Sequence, residues 1–226
     1  YGAIPIQFYK KDYSWKDKKI ILTDDVFRLQ ETPCSQNFTV ETESRWNLVE
    51  TAWRLGVSRN LLYVRYDEAS EYFVIDEDFR RRSVTSARGA LNGYQKGKCF
   101  YCFDEINVSD DLENNCDVDH FFPHSLQTLF PEINFDGVWN LVLACKNCNR
   151  GADGKFAKVP AIKYLQRLNK RNEFLISSHH PLRETIMSQT GMTEDDRRNY
   201  LLEMDKRAIN ALIHRWETEQ LGPATF

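Results

Sequence analysis

Apolar and polar residues alternate along this chain in short blocks, and the period of the pattern changes repeatedly between strand-like and helix-like spacing. Lys18 to Thr23 reads as a short strand, and Thr23-Asp24-Asp25 as the cap of a helix running to about Gln30. Thr32 to Asn37 reads as a loop. From Glu41 to Leu55, Trp46, Val49, Glu50 and Trp53 recur at helical spacing, with Gly56 as the stop; the aromatic residues here are expected in the core. Leu61–Tyr66 and Tyr72–Ile75 are β-branched and aromatic, and Asp67-Glu68-Ala69-Ser70 between them predicts a hairpin turn. Ser83 to Gly97 predicts a helix capped by Ser83 or Thr85.

Beyond a polar, acidic loop from Asn107 to Asn115, Val118, His120 and Phe122 alternate with acidic neighbours. A strand from Cys116 to Phe121 follows, ended by Pro123. Ser125 to Gly137 is a connecting loop, Val138 to Ala144 a second strand, and a helix opens at Cys145. Pro160 fits the first turn of a helix from Ala161 to about Phe174, with Ile162, Leu165 and Leu168 on its apolar side. His179-His180-Pro181 marks a turn. Thr193 then caps a last helix to about Glu217, with Leu201, Met204, Ala208, Leu212 and Trp216 as one stripe.

This order of elements gives an α+β fold. It divides into a mixed N-terminal region over residues 1–82, whose role is not legible, and a second domain over residues 83–226. The length, 226 residues, is long for one core and short for two full domains. A content of 42% hydrophobic and 28% charged residues is that of an ordinary globular protein, and no apolar run approaches the ~20 residues a membrane span needs. The opening Tyr1-Gly2-Ala3-Ile4-Pro5 has neither an initiator Met nor a signal pattern, as expected for a piece of a larger protein.

The net charge of −3 argues against a uniformly basic nucleic-acid binder, but the charges are segregated. Lys146, Arg150, Lys155, Lys158, Lys163, Arg167, Lys170 and Arg171 follow one another with Asp153 as the one acid among them. The stretch from Asp104 to Asp119 carries acids and no Lys or Arg. The basic run suits a phosphate backbone or a charged helix face, and the acidic stretch suits a divalent cation or a solvated loop.

Six cysteines could mean disulfides, but four form two CxxC pairs, Cys99/Cys102 and Cys145/Cys148. Two intervening residues let one tight turn aim both sulfurs at one ion, and two such pairs complete a tetrahedral zinc site. Their separation exceeds the usual ribbon spacing, so the zinc would staple a sizeable loop. This usage places the chain in a reducing compartment, the cytoplasm, with Cys34 and Cys116 as ordinary packing thiols.

Around these pairs stand Asp117-Val118-Asp119-His120, Asn140 and Asn149-Arg150. In that order the residues resemble the HNH (ββα-metal) endonucleases with a zinc-stapled motif, a group that includes certain restriction enzymes. The HNH domain of RNA-guided nucleases has a related core without the zinc. The resemblance implies a ββα core over residues 99–158, structural Zn²⁺ on Cys99, Cys102, Cys145 and Cys148, and metal-dependent hydrolysis of DNA leaving 3′-hydroxyl and 5′-phosphate ends. It assigns His120 as general base, Asp119 and Asn149 as ligands of a catalytic Mg²⁺ or Mn²⁺, and Asn140 as the residue orienting the imidazole. Lys146, Arg150, Lys155 and Lys158 are the expected DNA contacts.

One tension stands out: a regular strand places Asp119 and His120 on opposite faces. His124 departs from the family pattern and is open between a third metal ligand, a phosphate donor and a surface residue. One ββα unit cuts one strand, so a double-strand break needs a homodimer, sequential nicking or a second nuclease. Restriction or phage defence, a mobile element and the cleavage module of a larger complex all fit. The competing reading is a zinc-stabilised module that binds DNA or protein without cutting, which gives no reason for Asp119-His120 with Asn140 and Asn149. A zinc deaminase needs H-x-E and P-C-x-x-C, and both are missing here.

Overall fold

Small ribbons of two or three short strands recur along this chain among its helices. The computed structural model describes residues 6–13, 18–31, 35–55, 63–77, 80–108, 116–219 and 221–226. The expected features at Thr32–Cys34, Gly56, Leu61–Leu62 and Ser109–Asn115 lie outside them. Two compact units are formed, residues 1–38 and 39–226, and the expected N-terminal region contributes to both. In the first, β1 (Tyr9–Tyr13) pairs antiparallel with β2 (Lys18–Leu22), followed by a 3-10 turn and α1 (Phe27–Gln30).

The second unit begins with α2 (Phe38–Arg54) and an antiparallel meander of β3 (Arg65–Asp67), β4 (Tyr72–Glu77) and β5 (Arg80–Ser86). α3 (Ala87–Gln95) leads to the ribbon of β6 (Cys116–His120) and β7 (Leu141–Cys145), and α4 (Lys146–Arg150) follows. β8 (Val159–Pro160) pairs in parallel with β9 (Arg215–Trp216) around α5 (Ile162–Ser177), α6 (Arg183–Thr190) and α7 (Glu194–Leu212). The fold is α+β, with a ββα core at β6–β7–α4. Its interior is aromatic: Phe100, Phe121, Phe122, Phe135, Trp139 and Tyr164 are fully buried.

Several expectations are corrected. Residues 83–86 are the end of β5, where Val84 and Thr85 suit a strand, so the helix begins only at Ala87. Trp46 and Trp53 face outward, edge to face at 5.4 Å, because α2 buries the opposite stripe of Ser44, Leu48, Thr51 and Ala52. Pro160 lies in β8 ahead of the helix, and Ile162 is exposed while Tyr164, Leu165 and Leu168 are buried. The expectation for residues 178–193 contained no α6. The last helix stops at Leu212, where Ile213 takes a positive φ of 66°, and Trp216 belongs to β9 instead of the helical stripe. Its start is as expected: Thr193 and Asp196 form a reciprocal capping box.

His180 sits buried beside α6, its Nδ1 accepting the Leu182 N–H at 3.2 Å. Burial, with Arg45 and Arg171 adding positive potential, pushes its imidazole down to about 3. Unfolding restores an ordinary value of about 6.5, so the unfolded chain binds the extra proton and stability falls as pH drops from about 6.5 toward 3. His180→Asn keeps an acceptor at the Nδ1 position and cannot titrate. Between pH 7.5 and 5.5 this variant should lose about 1.4 kcal/mol less stability than the wild type, measured by urea unfolding at both pH values.

Candidate active site

Two strands alone are marginal in water, and the β6–β7 ribbon is finished by side chains. Along the outer edge of β7 the buried Gln95 carboxamide pairs both ways with Leu143, donating to its carbonyl at 2.8 Å and accepting its N–H at 2.9 Å. Further along, the buried Arg171 guanidinium donates to the carbonyls of Val138, Trp139 and Leu141, and Asn172 donates to Trp139. These contacts place α3 and α5 against the ribbon and fix the segment that carries Asn140.

At one end of the ribbon the Sγ atoms of Cys99, Cys102, Cys145 and Cys148 lie within 4.8 Å of one another. Cys102 and Cys145 sulfurs are 3.8 Å apart, close to the separation that two tetrahedral Zn–S bonds of about 2.3 Å require. Backbone N–H groups point at the sulfurs: Tyr101 and Cys145 at Cys99, Asp104 at Cys102, and Cys148 at Cys145. Such donors favour thiolates. Hydrogen bonds from Cys102 hold Cys99 and Cys145 low, whereas Cys102 is raised by Cys145, and Cys148 by Cys102. A dication ends this sharing by taking all four as thiolates. The donor set fits a closed structural zinc. Cys116 stands apart, its thiol donating to the Asn107 carbonyl and pushed up to about 12 by burial.

His120 ends β6 at the other end of the ribbon. Its Nε2 lies 2.8 Å from Asp136 Oδ1, and its ring meets Tyr66 and His124 at centroid distances of 5.9 and 5.4 Å. His124 Nε2 is 3.5 Å from the same carboxylate oxygen. The hydrogen bond from His120 holds the Asp136 carboxyl below the usual range. The backbone beyond His120 is clamped by Asn140, whose carbonyl accepts from Phe121 N–H at 2.7 Å. The Asn140 side chain accepts from Phe122 N–H at 2.7 Å and donates to the carbonyls of Phe122 and Phe135 at 2.9 Å. The His120 carbonyl accepts from Lys155 Nζ at 2.9 Å.

Lys155 is buried and uses all its N–H groups internally, on that carbonyl, on Phe156 O at 3.1 Å and on Asp119 Oδ1 at 3.0 Å. Asp119 Oδ2 accepts from the Tyr101 hydroxyl at 2.6 Å; burial, then the Asp119 charge, raises that phenol and keeps it a donor. Asn149 and Arg150 both donate to Asp117, at 3.0 and 3.1 Å. A groove of about 420 Å³ runs beside β6, between Glu68, Glu71, Arg88, Asp117, Lys146 and Arg150, with Tyr66 also in its wall.

Residues 99–160, a little over a quarter of the chain, match the family model of HNH endonucleases. This segment belongs to the HNH endonuclease family. No curated protein and no solved structure matches the chain significantly.

Within the HNH core, His120 and Asn140 come together, joined through Phe121 and Phe122. Asp119 and His120 point to opposite faces of β6, toward Tyr101 and Lys155 on one side and Tyr66 and Asp136 on the other. Asp119 and Asn149, the pair expected on a catalytic cation, are committed to different partners: Asp119 to Lys155 and Tyr101, Asn149 to Asp117. Asn149 uses its amide nitrogen in that bond, whereas both carboxylate oxygens of Asp119 already have partners. His124 comes to the His120–Asp136 pair with its side chain half-exposed. Among the expected DNA contacts, Lys146, Arg150 and Lys158 are exposed, but Lys155 is turned into the core by Asp119 and two carbonyls. Arg167 and Arg171 of the basic run likewise face inward, Arg167 onto the carbonyls of Phe100 and Tyr101. Asp136 is the site residue that sequence reasoning missed. It lies in a connecting loop, and no spacing ties it to His120.

Two outcomes follow. Elemental analysis should find one zinc per chain, and Cys145→Ser should lose both the zinc and a cooperative thermal transition, because structural zinc binding is itself folding energy. Lys155→Met should cost about 3–5 kcal/mol in urea unfolding by leaving Asp119 buried without its cation, and adding Asp119→Asn should recover most of that loss.

Proposed function

We propose that this chain is an endonuclease that hydrolyses phosphodiester bonds of DNA, with His120 taking the proton from the attacking water. The observation that carries the reading is the placement of His120: it closes a strand of the HNH-matched core, with its backbone clamped by Asn140 and Lys155 and its ring meeting Tyr66 in the groove wall. Water is a poor nucleophile toward a phosphodiester, and an imidazole near neutrality is a suitable acceptor for its proton. As the water oxygen bonds to phosphorus, the bond from phosphorus to the 3′-oxygen breaks, giving a 5′-phosphate and, after protonation by solvent, a 3′-hydroxyl. Lys146, Arg150 and Lys158 are exposed cations able to meet the flanking phosphates.

A divalent cation, Mg²⁺ or Mn²⁺, is part of the family expectation. Since Asp119 and Asn149 are each engaged elsewhere, no step is assigned to it. The same observation favours a second reading, a zinc-stabilised module that holds DNA or protein without cutting: Asp117 and Asp119 are both neutralised within the fold. Thiolates kept for metal suit a reducing, cytoplasmic setting. A homodimer or a larger complex would supply targeting and the second cut.

Supercoiled plasmid incubated with Mg²⁺ or Mn²⁺, beside an EDTA control, separates the readings. The nuclease should nick or linearise the plasmid, and His120→Ala should cut about 10²–10⁴-fold more slowly. A folded, zinc-loaded wild type that binds the plasmid and leaves it intact would support the binding module instead.

A further inference from the structure

We propose that Asp136 is the positioning residue for His120: its carboxylate takes the Nε2–H of the imidazole and so leaves Nδ1 as the nitrogen that carries the lone pair. The inference rests on the nuclease reading for its kinetic consequence and on geometry alone for its structural one.

A carboxylate only accepts hydrogen bonds, so a neutral His120 facing Asp136 at 2.8 Å must carry its proton on Nε2. A base whose tautomer is fixed presents one nitrogen to water at all times, and a ring held at one edge cannot rotate away from it. The other groups against the ring are the Tyr66 phenol and the His124 imidazole, while Lys155 touches only the His120 carbonyl. His124, at 3.5 Å from the same oxygen, lies beyond a firm hydrogen bond and leaves that oxygen to His120.

The loop that carries Asp136 is built to hold it still. Phe135 on one side and Trp139 on the other are fully buried anchors. The Asn134 side chain accepts from Asp136 N–H at 3.1 Å, and the Asn134 carbonyl accepts from Gly137 N–H and from the Trp139 indole. Phe135 is fixed at both its backbone groups, by Gln127 at 3.2 Å and by Asn140 at 2.9 Å. At Gly137 a side chain would come within 2.5 Å of the Trp139 ring, so only glycine lets the turn close against it. Asn140 therefore acts on both sides of His120: it clamps the backbone after the histidine and, through Phe135, the loop that delivers the carboxylate.

The test compares zinc-loaded wild type with Asp136→Ala and Asp136→Glu. Long-range ¹⁵N NMR of the histidine ring, recorded without DNA, should show His120 almost wholly as the Nε2–H tautomer in wild type and as a tautomer mixture in Asp136→Ala. Plasmid cleavage should fall about 10²-fold in kcat with KM changed less than threefold, and Asp136→Glu should recover part of both signals. The half-buried Asp136 side chain makes no contact with the zinc ligands, so zinc content should be unchanged. An unaltered tautomer in Asp136→Ala would overturn the assignment whether or not the chain cuts DNA, as would a wild-type kcat in that variant where the wild type does cut.

Discussion

The residues that matter most ride on a ribbon of two strands, and a ribbon of two strands does not hold its own shape in water. Its hydrogen bonds supply only half of the backbone groups each strand must satisfy. The outer edge of β7 would either stay wet or recruit another chain. Gln95, Arg171 and Asn172 finish that edge with side-chain donors and acceptors, all buried. The cost is that an amide and a guanidinium must be desolvated; the return is a ribbon pinned to α3 and α5 at named carbonyls instead of by shape alone. His120 inherits that rigidity, since the strand opposite it begins at Leu141, the last carbonyl held by Arg171.

The same economy explains the direction of the positive charges. In the linear sequence the stretch after the second CxxC pair is a basic run, and a basic run ordinarily means a solvated or phosphate-binding face. In the folded chain Lys155, Arg167 and Arg171 are turned inward, each against backbone carbonyls, and among the described residues only Lys155 has a carboxylate beside it. A guanidinium or ammonium surrounded by carbonyl oxygens is well hydrogen-bonded even where water is excluded. These cations therefore act as multivalent ties across loops that have little regular structure of their own. Lys146, Arg150, Lys158 and Lys170 of that run remain exposed, a smaller set than the sequence suggests.

What was legible in the sequence was whatever depends on short spacing. The two CxxC pairs, the strand that carries His120, the capping box at Thr193 and the hairpin between β3 and β4 all follow from residues within a few positions of each other, and all are present. The misses need a partner far away or a backbone choice with no residue signature. Ile213 turns the chain at a positive φ without glycine or proline to announce it. The outward face of α2 has two tryptophans, so its hydrophobic stripe gave the wrong side. Asp136 looks like any turn aspartate, and only the folded loop reveals that it ends against His120. Asp119 faces the core on the side of β6 opposite His120, as its alternation with that residue implied.

The two ends of the ribbon carry different chemistry, thiols at one and an imidazole at the other. Cys116 and His120 are the first and last residues of β6, and a strand of that length separates them by roughly 13 Å. The cysteine cluster, closed by four sulfurs, lies away from His120, whose place depends on the register of β6 against β7. Register is unforgiving here. A slip of one residue in β6 against β7 would send His120 to the face now occupied by Asp119, away from Asp136 and Tyr66, and would bring Asp119 toward them. Contacts on the two faces of β6 oppose that slip: Asp119 is held by Lys155 and Tyr101, and His120 by Asp136. A zinc held at Cys145 ties the end of β7 to the Cys99–Cys102 turn, and the face that His120 presents is set by the contacts of β6 itself.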